Sequence, residues 1–84
     1  MAKLRPAKNK KTLRDNVHKA VDRYIKNLDG EEISGLYELV LNEVEQPLLE
    51  VVLKHTDGNQ SRTATILGLN RGTLRKKLKQ YDLI

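Results

Sequence analysis

"GNQSRTATILGLNRGTLRKKLKQY" occupies residues 58–81, and its punctuation decides the fold. Asn59 and Asn70 are each placed to cap a helix, because an asparagine side-chain oxygen can accept a bond from an orphan N–H of the first turn. Gly68 ends the first of the two helices, since a residue without Cβ enters the left-handed conformation at little steric cost. The spacing predicts a short helix over residues 60–67 and a basic one from 71 to about 81. Two short helices joined by a tight glycine turn have the layout of a helix-turn-helix, whose second helix reads the major groove of DNA. Ala64 is small where the pair must cross. Ile66, Leu67, Leu69, Leu74 and Leu78 are expected to clamp the pair and dock it on the rest of the domain.

Exposed chemistry then falls on the tips of these helices. Asn70 and Arg71 lead the second helix, and an arginine there can grip guanine O6 and N7 with two hydrogen bonds. Thr73, Arg75, Lys76, Lys77 and Lys79 are placed to reach phosphates, while Asn59, Gln60, Ser61 and Arg62 open the preceding helix, where backbone N–H groups also bind anions. Gly72 is the odd residue, because glycine within a helix costs about 0.5–1 kcal/mol against alanine. Close approach of the backbone to DNA would account for it.

Working outward, residues 12–57 read as two longer helices. The first opens at Thr12 with Asp15 three positions on, a variant of the capping box. It carries an apolar stripe of Leu13, Val17, Ala20, Val21, Tyr24, Ile25 and Leu28, and it stops at Asp29-Gly30. The second runs from about Ser34 to His55. Leu36, Leu39, Val40, Val44, Leu48, Val51 and Val52 form its expected buried stripe, with Glu38, Glu43, Glu45 and Glu50 mostly on the solvated side. Pro47 lacks an N–H and crowds the preceding turn. The stripe stays in phase across it, which favours a kinked helix over two shorter ones. Residues 1–11, with five positive charges and a proline, read as a basic flexible arm. The fold class is all-α, with four helices.

The chain's 84 residues allow one small domain, and with no Phe, Trp or Cys its core must be aliphatic and cannot be stapled by disulfides. Self-association is the remaining inexpensive solution. A net charge of +5 points toward a polyanion. Its distribution is more telling. Residues 1–30 hold nine Lys/Arg against three Asp, residues 31–57 one Lys against seven acids, and residues 58–84 six Lys/Arg against one Asp. The acidic middle is not where a nucleic acid would sit. No apolar run approaches the roughly 20 residues of a membrane span, and the basic N-terminus lacks the apolar stretch of a signal peptide. Catalysis is not expected: His18 and His55 stand 37 positions apart, and there is no glycine-rich phosphate loop. No cofactor or metal is expected either. An alternative reading is a helical interaction module whose basic ends meet an acidic partner. RNA is a weaker option, because stacking aromatics are lacking.

With "LYELVLNEVEQPLLEVVL" preceding the helix-turn-helix, residues 36–81 resemble the Fis family, the bacterial factor for inversion stimulation. The resemblance implies a homodimer in which helices one and two intertwine into a core, so that a charge at Val44 or Leu48 would abolish dimer and fold together. It implies reading helices closer than one turn of relaxed DNA, hence a bent duplex with a compressed central minor groove. It further implies base contacts from Asn70 and Arg71, with phosphate or flanking contacts from Asn59, Gln60, Ser61, Arg62, Thr73, Arg75, Lys76 and Lys77. The family setting is cytoplasmic and nucleoid-associated, as architectural factor and transcription regulator. Better-known members have a longer N-terminal hairpin arm that touches a DNA invertase, and some carry a basic residue, used against RNA polymerase, where this chain has Asp57-Gly58. These departures count against a recombinase or RNA polymerase as partners.

Overall fold

The computed structural model describes residues 12–84; the expected arm at 1–11 lies outside the described residues. Four helices follow in order, α1 (Leu13–Asn27), α2 (Leu36–His55), α3 (Gln60–Leu67) and α4 (Arg71–Gln80), with no strand among the described residues. The chain divides into two units, one reaching Ser34 and one spanning Gly35–Ile84.

The first unit holds α1. Its capping box forms in full: the Thr12 hydroxyl accepts the Asp15 N–H at 3.1 Å, and the Asp15 carboxylate accepts the Thr12 N–H at 3.0 Å. That backbone bond is the leading reason the Asp15 carboxyl is held below its ordinary range. At the other end the helix stops with both Asp29 (φ 52) and Gly30 (φ 85) left-handed, so the aspartate shares the conformation expected of glycine alone. None of the α1 side chains is fully buried, and Leu13, Tyr24 and Ile25 of the expected stripe remain exposed.

In the second unit α2 begins at Leu36, two residues later than expected. Gly35 is left-handed at the N-cap (φ 66), so Ser34 lies outside and no side chain caps this helix. The helix then runs unbroken through Pro47 to His55, one helix rather than two.

Burial is where α2 departs most from expectation. Its fully buried residue is Leu49, at 1 % exposure, which is not a member of the expected stripe. Leu49 meets Ala64, Leu74 and Leu78, and Leu53, Leu67, Leu69, Tyr81 and Leu83 pack around them. Of the expected stripe, Leu36, Val40 and Val52 are partly covered, whereas Leu39, Val44, Leu48 and Val51 are exposed. The helix therefore has two apolar faces. One docks the helix-turn-helix within the chain. The other presents Tyr37, Leu41, Val44, Leu48 and Val51, spaced four, three, four and three residues apart, to the surface. That alternation has the spacing of a coiled-coil seam. Ile66, expected in the clamp, points outward at 51 % exposure.

A pair of threonines fixes the α2–α3 corner. Thr56 and Thr63 are buried, with their hydroxyl oxygens 2.7 Å apart, and the Thr63 hydroxyl donates to the Asn59 carbonyl at 2.8 Å. Buried hydroxyls stay neutral in cost only when so satisfied. No helix among the described residues is long and apolar enough to cross a membrane.

Candidate nucleic-acid interface

Both short helices open the same way. Asn59 Oδ1 accepts the Arg62 N–H at 3.0 Å, and Asn70 Oδ1 accepts the Thr73 N–H at 2.7 Å. Between them Gly68 sits left-handed (φ 73), and the Leu69 N–H folds back onto the Ala64 carbonyl at 2.9 Å. This Schellman-type closure turns the chain sharply enough to bring Asn70 into position three residues after α3 ends.

The electrostatics of the two tips are unlike those of the other helices. The first turns of α1 and α2 carry Asp15 and Glu38, which oppose the positive partial charge of a helix N-terminus; the first turns of α3 and α4 carry no acid. Instead Arg62 stands in the first turn of α3 and Arg71 at the first position of α4, where a cation opposes the helix dipole. An external anion relieves both. Asn59, Ser61, Arg62, Asn70, Arg71, Arg75, Lys76 and Lys79 are all exposed, and Gln60 and Thr73 are partly so. None of these cations forms an ion pair among the described residues.

Lys77 is placed elsewhere. Sequence reasoning set it among the phosphate contacts, but its ammonium lies 2.8 Å from Glu45 Oε2, with both side chains about 30 % exposed. The other carboxylate oxygen, Glu45 Oε1, accepts the Tyr81 hydroxyl at 2.7 Å, and that hydroxyl also sits 3.1 Å from Asn42 Oδ1. Lys77 and then Tyr81 hold the Glu45 carboxyl below its ordinary range against a smaller effect of burial. The same bond to Glu45 pushes the Tyr81 phenol up to about 12. Glu45 thus belongs to a polar clamp between α2 and α4 rather than to a solvated acidic face. Its partners lie more than 30 positions away, so no local spacing could signal it.

Gly72 has no internal justification. Its φ is ordinary, and a Cβ there would meet only Asn70 Oδ1, at 3.6 Å. Gly72→Ala is therefore expected to raise stability by about 0.5–1 kcal/mol in urea unfolding. If the backbone touches DNA there, the same substitution should weaken duplex binding in a gel shift. A variant that is more stable and binds equally well would leave the glycine unexplained.

Comparison with known proteins gives one direction. The family model described as bacterial regulatory protein, Fis family, matches residues 40–81, and that of the DNA-binding protein Fis N-terminal domain matches residues 4–33. The chain is similar to the DNA-binding protein Fis of Glaesserella parasuis, 61 % identical over 71 residues, 84 % of this chain and 72 % of the relative. It is similar to a putative Fis-like DNA-binding protein of Pseudomonas aeruginosa, 54 % identical over 79 residues, 94 % of this chain and 76 % of the relative. The DNA-binding protein Fis of Pasteurella multocida is 58 % identical over 73 residues, 87 % of this chain and 74 % of the relative.

Proposed function

Because the chain belongs to the Fis family, we propose that it is a homodimeric, nucleoid-associated DNA-binding protein that bends its target and regulates transcription. The observation that carries this reading is the pair of asparagine-capped helix tips, rich in exposed cations and devoid of acids. It acts by binding rather than catalysis.

The roles divide by chemistry. Arg71, exposed at the tip of α4, reads guanine edges. The Asn70 oxygen is committed to its cap, which leaves the amide N–H groups to donate to an acceptor on a base. Asn59, Gln60, Ser61, Arg62, Thr73, Arg75 and Lys76 hold phosphates and flanking positions. The exposed seam of Tyr37, Leu41, Val44, Leu48 and Val51 supports pairing of two chains through α2. Two reading helices set by that pairing closer than one helical turn would impose curvature on the duplex, so deformability would contribute to target choice.

An acidic protein partner would also satisfy the cations, but it has no specific use for an arginine and an asparagine at a helix tip beside a bare glycine. Gel shifts on circularly permuted duplexes test binding, stoichiometry and curvature together. Arg71→Ala is expected to cost about 1–3 kcal/mol of specific binding and blur the preferred sequence. Lys76→Ala is expected to weaken all duplexes alike and to flatten the salt dependence by about one phosphate contact, each contact contributing a fall in log K of roughly 0.9 per tenfold rise in salt. Equal loss of discrimination in both variants would refute the division of roles, and no duplex binding at low salt would refute the function.

A further inference from the structure

The Lys77–Glu45–Tyr81 clamp has no part in the function just described, although it uses a lysine from the reading helix. Its geometry gives it one. Within the second unit the most extensive backbone approaches are those of α3 to α4 and of α2 to α3. The reading helix engages α2 through side chains from both the apolar cluster and the clamp. Leu74 and Leu78 meet Leu49 in the buried cluster. Apolar contact of this kind is non-directional, so it holds two helices together while leaving small rotations cheap. Lys77 and Tyr81 continue the Leu74 and Leu78 face of α4, and Asn42 and Glu45 continue the Leu49 face of α2. Hydrogen bonds are directional, and those to an ionised carboxylate are the stronger kind. Each Glu45 oxygen takes one α4 donor, Lys77 at 2.8 Å and Tyr81 at 2.7 Å. A second contact beside the apolar pivot fixes the rotation that the pivot leaves loose.

We infer that Glu45 is a positioning residue for the reading helix: by holding Lys77 and Tyr81 against α2, it sets the distance and tilt at which the two α4 helices of a dimer enter DNA. The inference rests on the DNA-binding reading above and deepens it. If α2 is the pairing helix, an α4 fastened to it is spaced relative to its counterpart in the other chain. A binding element left loose by its supporting contacts loses discrimination before it loses contact. The clamp therefore governs which half-site spacing is accepted more than how tightly DNA is held.

The test uses the full chain and a duplex selected by it, together with versions lengthened or shortened by one or two base pairs at the centre. The unsubstituted protein should prefer one spacing sharply. Tyr81→Phe removes a single O–H and keeps the packed ring, so it should fold. It should reduce the preference by about threefold to tenfold, the loss of a partly exposed hydrogen bond to a charged group converted at tenfold per 1.4 kcal/mol. Glu45→Ala should flatten the preference further, and Glu45→Gln, which keeps an acceptor, should recover part of it. Lys77→Met should also flatten it while leaving the salt slope unchanged. Wild-type spacing preference in Tyr81→Phe and Glu45→Ala would overturn the positioning role while the DNA-binding reading stood. A Lys77→Met protein with a salt slope reduced by about one contact and an intact preference would overturn it as well, making Lys77 a phosphate ligand. Failure of the unsubstituted chain to bind any of the duplexes would instead defeat the functional reading, and the inference with it.

Discussion

Leu48→Asp is expected to separate the two chains and to lower affinity for a full target duplex by at least about a hundredfold, while α2 to α4 stay folded. The first half follows from the seam. Leu48 is 49 % exposed in the single chain, within the row from Tyr37 to Val51. Pairing would bury it, and a carboxylate buried without a partner costs several kcal/mol. The loss of affinity follows from linkage, since joining two binding modules multiplies avidity by about 10²–10⁴ when both engage at once. The second half departs from the sequence expectation that dimer and fold would fail together. The core formed by Leu49, Ala64, Leu74 and Leu78 lies on a different face of α2 and is drawn from one chain. An aspartate at 48 faces water in the monomer. Sedimentation should report a monomer whose circular dichroism keeps most of its helix. A stable dimer of wild-type affinity would remove this seam as the interface.

Leu74→Ala should act from the other side. Leu74 is 0 % exposed and sits in α4 against Leu49 and Ala64. Truncating such a leucine costs about 2–5 kcal/mol, from the lost transfer of its methyl groups and the cavity left behind. A small domain holds only about 5–15 kcal/mol in all, so the helix-turn-helix should melt well below the wild-type temperature and take specific binding with it. Ile66→Ala, also an aliphatic truncation in this motif, serves as the comparison. Half-exposed, Ile66 should change stability by no more than about 0.5 kcal/mol. Urea unfolding of the two proteins separates them, and equal midpoints would mean that Leu74 is not part of the core.

Local chemistry made the helix-turn-helix legible. Asn59, Gly68 and Asn70 each act on backbone groups within a few residues, so α3 begins and ends where their spacing predicts, and α4 begins where it predicts. Thr12 and Asp15 are local in the same sense. The start of α2 misled because Ser34 is the better capping side chain, whereas the left-handed backbone at Gly35 is a matter of conformation that a hydroxyl does not signal. The burial of α2 misled for a deeper reason. Leu48 and Leu49 are adjacent in sequence and about a quarter-turn apart on a helix, and both faces carry apolar residues at helical spacing. Periodicity says that such a helix is covered on two sides. It does not say which side is covered within the chain. Among the candidate site residues, exposed tips such as Arg71 follow from position alone. Lys77 does not, because the residue that engages it comes from a helix more than 30 positions earlier. The buried hydroxyl pair of Thr56 and Thr63 carries no local signal either, because its burial depends on how α3 packs against α2.

The division of α2 into two faces also orders events in time. Every residue of the buried cluster lies between Leu49 and Leu83, in one continuous stretch of chain. Closing such a short loop costs little entropy, and helical topologies rich in nearby contacts form in microseconds to milliseconds. Pairing through the second face, on the proposed function, needs another molecule, and that encounter slows as concentration falls. On that reading a newly made chain acquires its groove-reading unit before it acquires a mate. In that interval it would circulate as a half-reader, able to touch DNA but unable to curve it, and cellular abundance would decide how long the interval lasts.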